Sequence, residues 1–332
     1  MNTARCLLAA LTAAALLSLV GAPASGLPAD GTAGAGGRAA AAPPATSAPS
    51  APDDPYFADQ WAVERMHAAA LWRRTAGAPA VLVAVVDTGI DAGHEDLKGK
   101  VVDSVNLSDA PDAADRAGHG THVAGVIAAG RDNGAGIAGL APDSRLLNVK
   151  VAGDDGTCRA SAVAAGIRWA ADHGALVINV SLELRDSWPD LEAAVGYAWG
   201  RGALIVAAAG NDGDDAPRYP AAYLNCLAVT GTGPDDCLAP LANYGEWVDL
   251  AAPGRNILST LPGNRYGYES GTSFAAAQVS GLAALLFTVV TDTNGDGRLN
   301  DEVRAALEHR AQPLAAFGTG HGLVDAALLL PR

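Results

Sequence analysis

Five short, almost uninterrupted apolar runs set the strongest constraint on the fold: VLVAVVDTGI from Val81, RLLNVKVAG from Arg145, ALVINVSL from Ala175, ALIVAAAGN from Ala203 and CLAVTGT from Cys226. A strand with one wet face alternates apolar and polar residues, whereas a run that is apolar throughout is buried on both faces. Between the runs lie Ala-rich stretches, THVAGVIAAG, SAVAAGIRWAADHG and LEAAVGYAWGRG, whose composition favours helix and whose closing glycines suit helix ends. Strand and helix alternating in this way predict a three-layer α/β fold, a mostly parallel β-sheet flanked by helices. Ligands in such sheets sit at the carboxyl ends of the strands. Asp87 and Asn211 follow two of those ends.

The chain ends are of another character. Residues 1–24 carry Arg5, an apolar run from Leu7 to Val20 and the close Ala22-Pro23-Ala24, the pattern of a cleavable signal peptide, so a secreted protein is expected. No later run is long enough to span a bilayer, and no membrane association is expected after cleavage. Residues 25–52 are almost wholly Ala, Gly, Pro, Ser and Thr, and read as a disordered linker. Residues 53–332 are expected to form one domain, and no separate folding domain is expected between the signal and that domain. A net charge of −14 disfavours nucleic acid and anionic membranes as partners. A monomer is expected. Of the cysteines past the signal, Cys158, Cys226 and Cys237, an odd set, the last two flank the turn-like GTGPDD and are the favoured disulfide.

Three glycine-flanked motifs supply reactive side chains in a fixed order: VVDTGID with Asp87, GHGTHVAG with His119 and SGTSFAAAQVSG with Ser273. A serine hydroxyl is a weak nucleophile at neutral pH and needs a base, and the base needs a carboxylate to hold its tautomer and stabilise its cation. Asp87 closes an apolar strand and His119 lies in a small-residue turn. Ser273 opens an apolar helix, where unpaired backbone N–H groups favour an oxyanion. Any one motif alone also suits a turn or an N-cap; their coincidence carries the reading.

The order and the motifs resemble those of the subtilisin-like serine peptidases, from about Asp54 to about Ala327. The resemblance implies a secreted serine endopeptidase acting on proteins or peptides, with Asp87, His119 and Ser273 as the triad and Asn211 in AAAGND as oxyanion-hole asparagine. In H-G-T-H it assigns catalysis to His119 and leaves His122 as a packed, hydrogen-bonded residue. A non-enzymatic scaffold of the same fold would not need all four side chains. The resemblance also places substrate as an added strand between Gly153–Cys158, with Gly153 and Gly156, and Ser181–Glu183, with Leu182, while Ala208 and Gly210 flank the primary pocket. The chain departs from the family at Phe274, at Ala277 and at Glu183, in SLE where SLG is usual. Glu183 and Asp212 would attract a basic residue and Arg218 would repel it, so the cues conflict and the side-chain preference stays open.

Calcium is the expected cofactor, in a structural role. TDTNGDGRLNDE sets Asp292, Asn294 and Asp296 at the spacing of the first half of an EF-hand loop; position twelve is Val303, so a further ligand would come from Asp301, Glu302, Asn300 or elsewhere. Thermitase-like members of the family imply a second site, at Asp54, Asp96 and Asn133.

Overall fold

The computed structural model describes residues 5–6 and 51–329, so the expected signal peptide and linker lie almost entirely outside the described residues. The centre is a seven-stranded parallel sheet of β1 (Leu82–Asp87), β2 (Val101–Asn106), β3 (Arg145–Lys150), β4 (Ala175–Val180), β5 (Leu204–Ala208), β6 (Cys226–Thr232) and β7 (Leu250–Pro253). Their order across the sheet is β2-β3-β1-β4-β5-β6-β7. Successive side chains of a strand point to opposite faces, and the packing follows: Val83, Val85, Val177, Leu204 and Val206 enter one core, while Ala84, Val86, Ile178, Val180 and Ile205 enter the other. The first core is covered by α1 (His119–Ala128), α4 (Thr272–Leu286) and α5 (Asn300–His309), the second by α2 (Ala160–Asp172) and α3 (Pro189–Gly200). The architecture is the three-layer α/β arrangement expected from the apolar runs.

Helix α4 is buried along its whole length. A helix apolar on every side belongs in the interior, and this one carries Ser273 on its second residue. A hairpin of β8 (Ile257–Leu261) and β9 (Arg265–Glu269) precedes it. The sequence did not reveal that hairpin, nor β2, whose residues are half-buried to exposed at the sheet edge, nor the four-residue β7. A further two-residue strand, Arg5–Cys6, pairs antiparallel with Cys158–Arg159. Among the described residues no helix is long and apolar enough to cross a membrane.

The favoured disulfide is overturned. Cys226 begins β6 opposite Ile205, and Cys237 closes a turn at the far end of that strand, its carbonyl accepting from Gly233. The seven-residue strand between them rises about 3.3 Å per residue, roughly 20 Å, where a bridge tolerates Cα atoms no more than about 7 Å apart. Both are unbridged. The turn-like GTGPDD does reverse the chain, but one end of the expected bridge lies a strand length away. Alkylation with iodoacetamide, followed by peptide mass spectrometry, is therefore expected to modify exposed Cys237 in the native protein and buried Cys226 only after unfolding; protection of both until reduction would contradict it.

Candidate active site

Asp87 is the last residue of β1 and has no exposed surface. Its Oδ1 accepts from the backbone N–H of Thr88 at 2.7 Å and lies 2.8 Å from His119 Nδ1, while Oδ2 is buried without a donor. The carboxylate thus has one side-chain partner, and that partner is the imidazole. His119 opens α1 after Gly118. The helix comes so close to the strand end that a Cβ on Gly120 would lie 2.1 Å from the Gly89 carbonyl and 3.1 Å from the Asp87 Cβ. Only glycine at 120 lets the imidazole reach its carboxylate.

A second buried carboxylate fixes this junction. Asp115 accepts from Thr88 Oγ1 (2.9 Å), Gly118 N (2.8 Å), Thr121 N (2.8 Å) and Thr121 Oγ1 (2.6 Å), and Thr88 Oγ1 accepts in turn from Gly120 N (3.0 Å). A carboxylate that satisfies the orphan N–H groups of a helix start also favours the positive end of its dipole. Sequence reasoning passed over Asp115. Its signal was an acidic residue just ahead of GHGTH, in the place of a capping side chain.

Ser273 and His119 are each 6% exposed. Ser273 Oγ donates to the Ser181 carbonyl at 3.5 Å, and Ser181 Oγ donates to the Ser273 carbonyl at 3.1 Å. Phe274 packs its ring 5.4 Å from His119 and 4.4 Å from His122, which ties the start of α4 to α1. Asn211, just past β5, accepts from Thr272 N at 3.0 Å through Oδ1, and Gly210 N donates to Thr272 Oγ1 at 3.0 Å. With Oδ1 used in this way, the amide nitrogen of Asn211 is the group left for a ligand beside Ser273.

Charge is distributed unevenly over the two histidines. Burial alone would push the His119 imidazole down, but the charge and hydrogen bond of Asp87, with smaller contributions from Glu269 and Asp115, hold it above its ordinary value. Burial, reinforced by the His119 cation, pushes His122 down to about 3. His122 has no exposed surface, and its Nε2 meets the Gly267 carbonyl at 3.2 Å. It is a neutral packing residue, as expected.

The cleft residues fall into two groups. Ser181, Leu182 and Glu183 extend β4, while Ala208, Gly210 and Asn211 lie at the end of neighbouring β5; both sets meet at Ser273. Gly153 and Gly156 lie in a tight turn closed by Gly153 N to Thr157 O and Gly156 N to Gly153 O. The following Cys158–Arg159 edge is where the Arg5–Cys6 strand adds.

The expected metal ligands also divide. Asp54, Asp96 and Asn133 converge on the loop 130–138: Asp54 accepts from Asp132 N and Asn133 N, and Asp96 from Asn133 Nδ2 and Ile137 N. Asp53, Asp54 and Asp132 bring carboxylate oxygens within 4.8 Å of one another; Asp53 and Asp132 were not anticipated. In the 292–302 loop, Asp292 accepts from Gly295 N and Gly297 N, Asn294 Nδ2 meets Asp301, and Asp296 is paired with Arg298 at 2.6 Å.

A buried carboxylate–imidazole pair, tied through Phe274 to a helix-start serine, presents the side-chain types that a serine hydrolase uses. A profile of the Subtilase family matches residues 78–322. The chain is 44% identical over 270 residues to a thermophilic serine proteinase of Bacillus sp. (strain AK1), covering 81% of this chain and 66% of that one. It is 43% identical over 272 residues to thermitase of Thermoactinomyces vulgaris, covering 81% and 94%. Among solved structures it resembles a protease of Pseudoalteromonas arctica PAMC 21717, with TM-score 0.76 and 31% identity over 84% of this chain and 98% of that one. The chain belongs to the subtilase family, and its relatives make it a serine endopeptidase.

Two pH effects follow. A general base works only when neutral, so with His119 in that role the acid limb of kcat/KM is expected above the ordinary histidine value of about 6.5, and Asp87→Asn should move it down while lowering kcat on the order of 10⁴-fold. His122 is held below its unfolded value, so stability is full above about pH 6.5 and is lost as pH falls toward 3, because the unfolded state binds the proton first. A scan of melting temperature against pH should show this loss, and His122→Gln should flatten it.

Proposed function

We propose that this chain is an exported, calcium-stabilised endopeptidase that cleaves peptide bonds through an acyl-enzyme on Ser273. The observation that carries the reading is the 2.8 Å contact between His119 Nδ1 and Asp87 Oδ1. It fixes the proton on Nδ1 and leaves Nε2 as the basic nitrogen. As Ser273 Oγ attacks the scissile carbonyl, His119 Nε2 takes its proton and Asp87 stabilises the resulting cation. Negative charge on the carbonyl oxygen is met by the Ser273 N–H and the Asn211 amide nitrogen. Collapse breaks the C–N bond and the amine leaves with the proton from His119; water then attacks the acyl ester with His119 again as base, the Ser273 Oγ–C bond breaks to release the acid, and His119 returns the proton to Oγ. Export rests on the signal pattern of residues 1–24.

Hard oxygen donors suit calcium, and the clustered carboxylates of Asp53, Asp54 and Asp132 are such a set, with Asp54 itself buried. In this reading calcium holds the N-terminal segment to the 130–138 loop, which Asp96 and Asn133 brace, and takes no part in the reaction. The loop with Asp292, Asn294, Asp296 and Asp301 is a second candidate.

A fluorophosphonate probe should label the purified protein and fail on Ser273→Ala; an unlabelled, folded wild type would sink the proposal. Asn211→Leu should lower kcat roughly 10²–10³-fold with KM little changed, the magnitude known from subtilisin itself, a member of this family. Calorimetry should show melting temperature falling on chelation and recovering with added calcium, a response that Asp54→Ala diminishes. An equal response in that variant would move the site elsewhere.

A further inference from the structure

The extension of β4 and the end of β5 form two walls beside Ser273, and in this chain the gap between them holds a carboxyl group. Glu183 leans across onto Gly210, so that a Cβ built on Gly210 would lie 1.7 Å from Glu183 Oε2 and 2.5 Å from Asn243 Nδ2. Gly210 has φ 102°, in the left-handed region that side chains disfavour. A glycine there is what admits the carboxyl. Two residues before Glu183, Ser181 exchanges hydrogen bonds with the nucleophile's own residue, and one residue after Gly210 comes Asn211. Glu183 is therefore seated next to the groups around Ser273, where the family resemblance puts the primary pocket that receives the side chain on the acyl side of the scissile bond.

The nearby cations do not answer it. Arg218 is buried and donates to Asp212 at 2.7 Å and 3.2 Å and to Asp214 at 2.8 Å and 3.0 Å. Arg185 donates both of its contacts, at 3.1 Å, to Asp212. Two guanidiniums thus stand against the three carboxylates of Glu183, Asp212 and Asp214, and the pairing leaves Glu183 over. Its Oε2 is buried and has no donor. Burial, and then the charge of Asp212, push this carboxyl up to about 7 against the smaller opposing pull of Arg218, the Asn211 N–H and Arg185. An isolated buried carboxylate is costly, and a cation brought to it is correspondingly favoured.

We propose that Glu183 is the specificity-determining residue of this enzyme and selects a lysine or arginine side chain on the acyl side of the scissile bond. An ammonium or guanidinium group donates to the buried oxygen that the protein leaves bare and neutralises the excess charge of the cluster. Arg218, which taken alone would favour an acidic side chain, is already engaged by two aspartates. The inference rests on the peptidase reading above.

The test compares quenched-fluorescent peptides that differ only at the residue before the scissile bond: lysine, arginine, norleucine, leucine or glutamate. Rates are normalised to active sites counted with the fluorophosphonate probe, so a protein that fails to label fails as a peptidase and not as a selector of cations. Lysine should exceed its uncharged counterpart norleucine in kcat/KM by about tenfold or more. Glu183→Gln should collapse that ratio toward one, while Glu183→Asp retains part of it. A labelled wild type with no preference for lysine over norleucine, a preference for glutamate, or a ratio unchanged in Glu183→Gln would overturn the proposal.

Discussion

The active site depends on one buried hydrogen bond, between His119 Nδ1 and Asp87 Oδ1. A carboxylate with no exposed surface is costly to bury unless it is paired, and Asp87 is given the Thr88 N–H and the imidazole while its second oxygen stays bare. The imidazole is therefore the main group answering its charge. Raising the proton affinity of His119 is the same interaction seen from the other side, since in the proposed mechanism the carboxylate stabilises the cation formed when the serine proton moves. One contact serves tautomer, orientation and basicity together.

That contact exists because the sheet and helix α1 bring its two halves to one place. Strand β1 is central in the sheet, paired with β3 on one side and β4 on the other, so Asp87 emerges at a point fixed by neighbours. Glycine at 120 allows close approach, and Asp115 clamps Thr88 to the first turn of α1 through four accepted hydrogen bonds. Adjacent strands β4 and β5 deliver Ser181 and Asn211 to Ser273 in the same manner. The geometry of the candidate site is thus set by buried strand ends.

Much of this was legible in the sequence because the responsible signals are local. Apolar runs named five central strands, and three motifs named the residues that the structure gathers at one end of the sheet, since a chain that presents a side chain at a tight strand or helix end needs glycine and small residues around it. What escaped notice depends on partners remote in the chain. Strand β2 lies at the sheet edge and lacks an apolar run. Asp115 reads as one acid among many until Thr88 is brought against it. Asp53 and Asp132 lie 79 positions apart yet share one cluster. The expected Cys226–Cys237 bridge fails for the converse reason: the two cysteines are near in sequence but a full strand separates them in space.

The most direct measurement is proton NMR of the native enzyme labelled with ¹⁵N-histidine, following His119 across its titration. A low-field Nδ1–H signal that persists on both sides of the titration, coupled to a midpoint above about 6.5 and lost in Asp87→Asn, is the expected result. A neutral His119 carrying its proton on Nε2, or titrating below the ordinary histidine value, would contradict the assignment of Asp87 as the group that orients and charges the base.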